Sequence, residues 1–67
     1  MVGARVRDAR KAAGLTQAAL AAKVAVSRVS INNIEHGRQD SSLTLFAWIA
    51  WACGVTLGDL LPTSERP

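Results

Sequence analysis

The stretch that decides the fold is Thr16-Gln17-Ala18-Ala19-Leu20-Ala21-Ala22-Lys23, then Val24-Ala25-Val26, then Ser27-Arg28-Val29-Ser30-Ile31-Asn32-Asn33-Ile34-Glu35-His36-Gly37. Thr16 and Ser27 each follow an apolar residue, Leu15 and Val26, and each stands four positions before another, Leu20 and Ile31. A hydroxyl at the N-cap between two such apolar residues is the hydrophobic staple that opens a helix. The spacing therefore predicts a helix over 16–23, a three-residue apolar turn over 24–26, and a second helix starting at Ser27.

The same signal recurs downstream. Val55-Thr56 with Leu60 repeats the staple, and Ser42 caps a further helix running to Cys53 with Phe46, Ile49, Ala50 and Cys53 as its inner stripe. Upstream, Val2, Val6, Ala9 and Ala13 share one face of a helix over 2–13. Glycines at 14, 37 and 54 stand where helices end, because glycine takes φ > 0 without a Cβ penalty. Five short helices result. The fold class is all-α, a single domain over 1–62 followed by a flexible tail over 63–67.

Length and composition agree with that reading. Sixty-seven residues fit one small domain, and the apolar 49% contains twelve alanines and only three aromatic residues, so the core comes from closely packed helices. A lone cysteine, Cys53, rules out an internal disulfide framework, and with one histidine, His36, no metal site or cofactor is expected. Cys53 lies on the inner stripe and reads as a small core residue. No carboxylate pair, nucleophilic triad or glycine-rich phosphate loop is present, which argues against an enzyme.

Charge is divided unevenly. Residues 1–38 carry seven basic and two acidic side chains, whereas 39–67 carry one and three. One electropositive half suits a polyanion, nucleic acid above all. Ser41–Gly58 holds 18 uncharged residues in a row, but four Ser/Thr and two Gly, with a helix boundary at Gly54, make a membrane span unsuitable there. Arg5 and Arg7 interrupt the place where a signal peptide would need its apolar run, so the expected location is cytoplasmic, associated with the nucleoid.

Two helices joined by so short a turn form a helix-turn-helix. Leu20, Val24, Ile31 and Ile34 close the inner face of its corner, leaving Arg28, Val29, Asn32 and Asn33 on the outer face of the second helix. Arginine can grip guanine O6 and N7, asparagine can pair with adenine N6 and N7, and valine can meet the thymine methyl group.

With Leu15-Thr16-Gln17, Leu20-Ala21, Ser27 and Ile34-Glu35-x-Gly37 in place, and Ile49-Ala50 and Gly54-Val55 through Leu60-Leu61 beyond them, the sequence resembles the lambda-repressor/Cro-type (Xre) helix-turn-helix family. The resemblance covers residues 2–61. It implies that helix 3 enters the major groove with Arg28, Val29, Asn33 and Asn32 at base edges, and that Thr16, Gln17, Ser27, Arg38, Ser41 and Ser42 hold phosphates. It also implies a structural ion pair between Arg10 and Glu35. The departures are Ala25 where the family commonly has glycine, Ala19 where it has an acidic residue, and Ser41 in place of a proline.

Trp48 and Trp51 fall opposite the inner stripe of helix 4, so the core cannot cover both faces of that helix. Either the tail folds over them or, with Leu57 and Leu60, they form a dimer or partner interface. The expected function is sequence-specific binding of double-stranded DNA by a homodimer on a palindromic operator, a transcriptional regulator and most often a repressor by the resemblance. The alternative is an antitoxin-like module that holds a protein partner through the Trp48/Trp51 face and regulates its own promoter.

Overall fold

The computed structural model describes residues 2–61; the tail expected over 63–67 lies outside the described residues. Five helices follow in order: α1 Val2–Ala12, α2 Gln17–Lys23, α3 Arg28–Glu35, α4 Leu43–Cys53 and α5 Leu57–Leu60. No strand occurs among the described residues. α1 packs against α3, α4 and α5, while α2 fits against α3 and α4.

Each helix after the first opens on a hydroxyl cap. Thr16, Ser27, Ser42 and Thr56 are extended in backbone, and their side-chain oxygens accept from the N–H of Ala19, Ser30, Leu45 and Asp59. In α5 the Asp59 carboxylate reaches back to the Thr56 N–H, completing a reciprocal capping box. α2 has Ala19 at the matching position and lacks that second bond.

The helix ends are equally regular. Leu15 N–H donates to the Arg10 carbonyl and Gly14 N–H to that of Lys11; the same pair recurs as Val26 to Ala21 with Ala25 to Ala22, Arg38 to Asn33 with Gly37 to Ile34, and Val55 to Ala50 with Gly54 to Trp51. These are Schellman closures, which require a left-handed residue at the turn. Gly14, Gly37 and Gly54 supply it at φ 76°, 72° and 75°, and Ala25 is forced into it at φ 59°. Leu15, Val26 and Val55 each close one helix and staple the start of the next, packing against the core from both roles.

That core is Val6, Leu20, Ala21, Val24, Ile31, Ile34, Ile49, Ala50, Cys53 and Leu60. Two expectations need correction. Ala13 lies past the end of α1 and is exposed, because the closure at Gly14 has already turned the chain. Leu60, expected at an interface, is fully buried, since the staple from Val55 draws it beneath α5.

Candidate nucleic-acid interface

The outer face of α3 is set by which of its residues the core consumes. Ile31 and Ile34 face inward, so Arg28 and Val29, one turn earlier and rotated away, stand in solvent, with Val29 57% exposed. Asn32 and Asn33 are half-buried beside them. A branched apolar side chain in water contributes nothing to helix stability, and an arginine with a methyl-bearing neighbour and two amides is the mixed donor, acceptor and apolar set that base edges require.

Beneath this face lies a buried charge. Arg10 Nε donates to Glu35 Oε2 at 2.6 Å and Nη2 to Oε1 at 3.0 Å, a two-pronged bridge between α1 and the end of α3. Nη1 donates to the Leu15 carbonyl at 2.9 Å, tying in the turn before α2. Burial works against the charged form of Glu35, but hydrogen bonds from Arg10 and Gln17 and the Arg10 charge outweigh it and hold the carboxyl below the usual glutamate range. The bond to Glu35 holds Arg10 above the ordinary arginine value.

Gln17 extends the network outward. Its Nε2 donates to Glu35 Oε1 at 3.2 Å and to Asn32 Oδ1 at 3.1 Å. Both amide protons are thereby used, so the side chain expected to hold a phosphate has no donor left for one, and only the Gln17 backbone N–H in the first turn of α2 remains for that role. His36 closes the other end of α3: its Nδ1 lies 2.8 Å from the Asn32 carbonyl oxygen, a pure acceptor, so Nδ1 is the donor in this contact.

Thr16, Ser27 and Ser42 are exposed, and each is engaged as a cap on the N–H three residues on, while the other first-turn N–H groups have no acceptor within their own helix. Arg38 is exposed just beyond Gly37. Ser41 departs from its expected role: among the described residues its hydroxyl is buried and has no hydrogen-bond partner, at a recess that Ser41 lines with Gly3, Ile34 and Phe46, so it is not presented at the surface to a phosphate. Sequence reasoning missed Gly3, buried where α1 meets the end of α3.

Away from α3, Trp48 is 54% and Trp51 74% exposed, sharing a surface recess with Lys23. Leu57 is half-buried. Burial pushes the Cys53 thiol up, as befits a core residue. Among the described residues no cluster of His, Cys, Asp or Glu could hold a metal ion, and no helix is long and apolar enough to cross a membrane.

The family model described as a helix-turn-helix domain matches residues 2–63. The clp gene regulator ClgR from Corynebacterium glutamicum is 32% identical, with a TM-score of 0.85 over 88% of this chain and 63% of its own. This chain thus spans less than two thirds of that relative's length. The restriction-modification controller protein C.AhdI from Aeromonas hydrophila is 30% identical, with a TM-score of 0.85 over 90% of this chain and 87% of its own. A complex of SinR with SinI contains a chain 27% identical, with a TM-score of 0.84 over 92% of this chain and 61% of its own. No curated protein sequence matches.

Proposed function

Since the chain belongs to the helix-turn-helix domain family, in its lambda-repressor/Cro-type branch of DNA-binding regulators, we propose that it binds a palindromic operator as a homodimer and represses transcription there. The observation that carries the reading is the outer face of α3, where Arg28 and Val29 stand in solvent on a helix otherwise locked into the core. Arg28, Val29, Asn32 and Asn33 read bases. Arg38 and the helix starts capped by Thr16, Ser27 and Ser42, with the Gln17 backbone, hold phosphates and fix the register.

In the dimer, two copies of α3 enter successive major grooves about 34 Å apart. Trp48 and Trp51, with Leu57 at the margin, supply the contact between copies, because two indoles this exposed form an apolar patch that association would cover. Its place of action is the cytoplasm, at the nucleoid. A second reading draws on the solved complex of SinR with SinI: the same tryptophan face would hold a different protein, as in an antitoxin-like module.

Selection of bound duplexes from a random pool tests the function directly. Enrichment of an inverted repeat with half-sites one helical turn apart supports it. Binding that stays indifferent to sequence down to low salt contradicts it.

A further inference from the structure

We infer that Gln17 is a positioning residue that sets base specificity: it turns Asn32 so that only the amide nitrogen faces the groove, and guanine, not adenine, is the base Asn32 reads. This rests on α3 lying in the major groove as proposed above. The orientation descends from the buried charge in three forced steps. Glu35 is held as a carboxylate by Arg10, and a carboxylate only accepts. The Gln17 amide beside Oε1 must therefore present its nitrogen, since its oxygen there would set two acceptors against each other. The second proton of that nitrogen then meets Asn32, which must offer oxygen and not its own NH2 group.

Asn32 Nδ2 is thus the atom left over. Among the described residues it has no hydrogen-bond partner and is not among the side-chain polar atoms shut off from solvent, so it is open at the surface of α3. Pairing with adenine in two bonds needs a donor to N7 and an acceptor for the N6 amino group side by side at the groove, and although Asn32 Oδ1 keeps a second lone pair, the bond from Gln17 holds that oxygen toward α2. Guanine presents two acceptors, N7 and O6, and suits an outward NH2 group. Turning Asn32 over would strand the Gln17 N–H in a half-buried site, so the network resists the change.

The test is duplex selection with the parent protein, Asn32→Ala and Gln17→Leu, each first checked for helical content and a cooperative thermal transition. The parent should enrich guanine over adenine at one position of its motif, and Asn32→Ala should lose that preference there and nowhere else. In Gln17→Leu the freed amide can turn its oxygen outward, so adenine should rise against guanine at that same position by roughly tenfold. A purely structural role for Gln17 would weaken all positions alike. Amide proton exchange in the free parent gives a readout that needs neither DNA nor variants: slow exchange of both Gln17 side-chain protons beside fast exchange at Asn32 supports the geometry, and fast exchange at both overturns it. A parent motif that Gln17→Leu leaves unchanged at the Asn32 position overturns this inference alone; a parent that enriches no motif overturns the DNA reading with it.

Discussion

Gly3 in α1 lies so close to the end of α3 that a Cβ on it would stand 2.5 Å from the backbone oxygen of Ile34 and 2.6 Å from that of Glu35. Glycine inside a helix costs up to roughly 1 kcal/mol against alanine, and here the absent side chain lets the two helices touch. Backbone cannot step aside as a flexible side chain can. Gly3→Ala should therefore destabilise the domain by about 1–3 kcal/mol despite its better helix propensity, measured by urea or thermal unfolding. An unchanged or higher melting temperature would mean that α1 does not sit against α3 in this way.

The same contact places Arg10 over Glu35, and the pair is shielded, with side chains 10% and 1% exposed. Removing either partner strands the other, so Arg10→Ala and Glu35→Ala should each cost roughly 3–5 kcal/mol, and the double variant less than their sum. Because the folded Glu35 carboxyl is held below the ordinary value of about 4.3, its contribution is complete above that pH and is lost as pH falls toward the folded value. Acid unfolding followed beside Glu35→Gln should show the parent losing this portion below about pH 4.3 while the variant, which has no titrating group there, does not. Strictly additive losses below roughly 0.5 kcal/mol would identify two independent surface charges instead.

Much of this was legible in the sequence because its signals are local. The hydroxyl caps at Thr16, Ser27, Ser42 and Thr56 and the left-handed glycines at 14, 37 and 54 act within one helical turn, so residue type and spacing were enough to find them. What stayed hidden depends on packing between distant segments. Gly3 looks unremarkable until α3 lies on it, Gln17 looks like a free amide until Glu35 claims it, and the inward turn of the Ser41 hydroxyl has no local sign. For Leu60 the local signal was present, since its staple with Val55 pulls it inward, and placing it at an interface set that aside.

Ala25 carries a cost that one substitution removes. At φ 59° it occupies the left-handed position of a Schellman closure, where an L side chain is strained by roughly 1–2 kcal/mol. Ala25→Gly relieves that strain but gives the unfolded chain more freedom, so the net gain should be about 0.5–1 kcal/mol, seen as a melting temperature higher by a few degrees. Ala25 itself is exposed between the buried Val24 and the half-buried Val26, and operator affinity should not change. A destabilised variant would show that the side chain of Ala25 contributes packing that outweighs its backbone strain.

The tryptophan face separates the two kinds of partner. Two indoles can remove roughly 300–500 Å² from water together, enough to anchor a small interface. If the proposed dimer forms through this face, Trp48→Glu with Trp51→Lys should leave helical content intact, shift the mass from dimer to monomer by sedimentation or light scattering, and greatly weaken operator binding. If the variant keeps its dimeric mass and operator affinity but fails to retain a co-purifying protein, the face belongs to that other partner and the dimer forms elsewhere.

If α3 reads sequence while its surroundings only grip the backbone, Arg28 and Arg38 must fail in different ways when removed. The measurement is affinity for the selected duplex and for a scrambled one, across a series of salt concentrations, for the parent, Arg28→Ala and Arg38→Ala. Arg28→Ala should cost roughly 1–3 kcal/mol on the selected duplex and relax the preference at one position, with little loss on the scrambled one. Arg38→Ala should weaken both duplexes alike and reduce the salt slope by about one unit. Equal losses on both duplexes for both variants would contradict the account, because Arg28 would then be one more phosphate contact and α3 would not be reading bases through it.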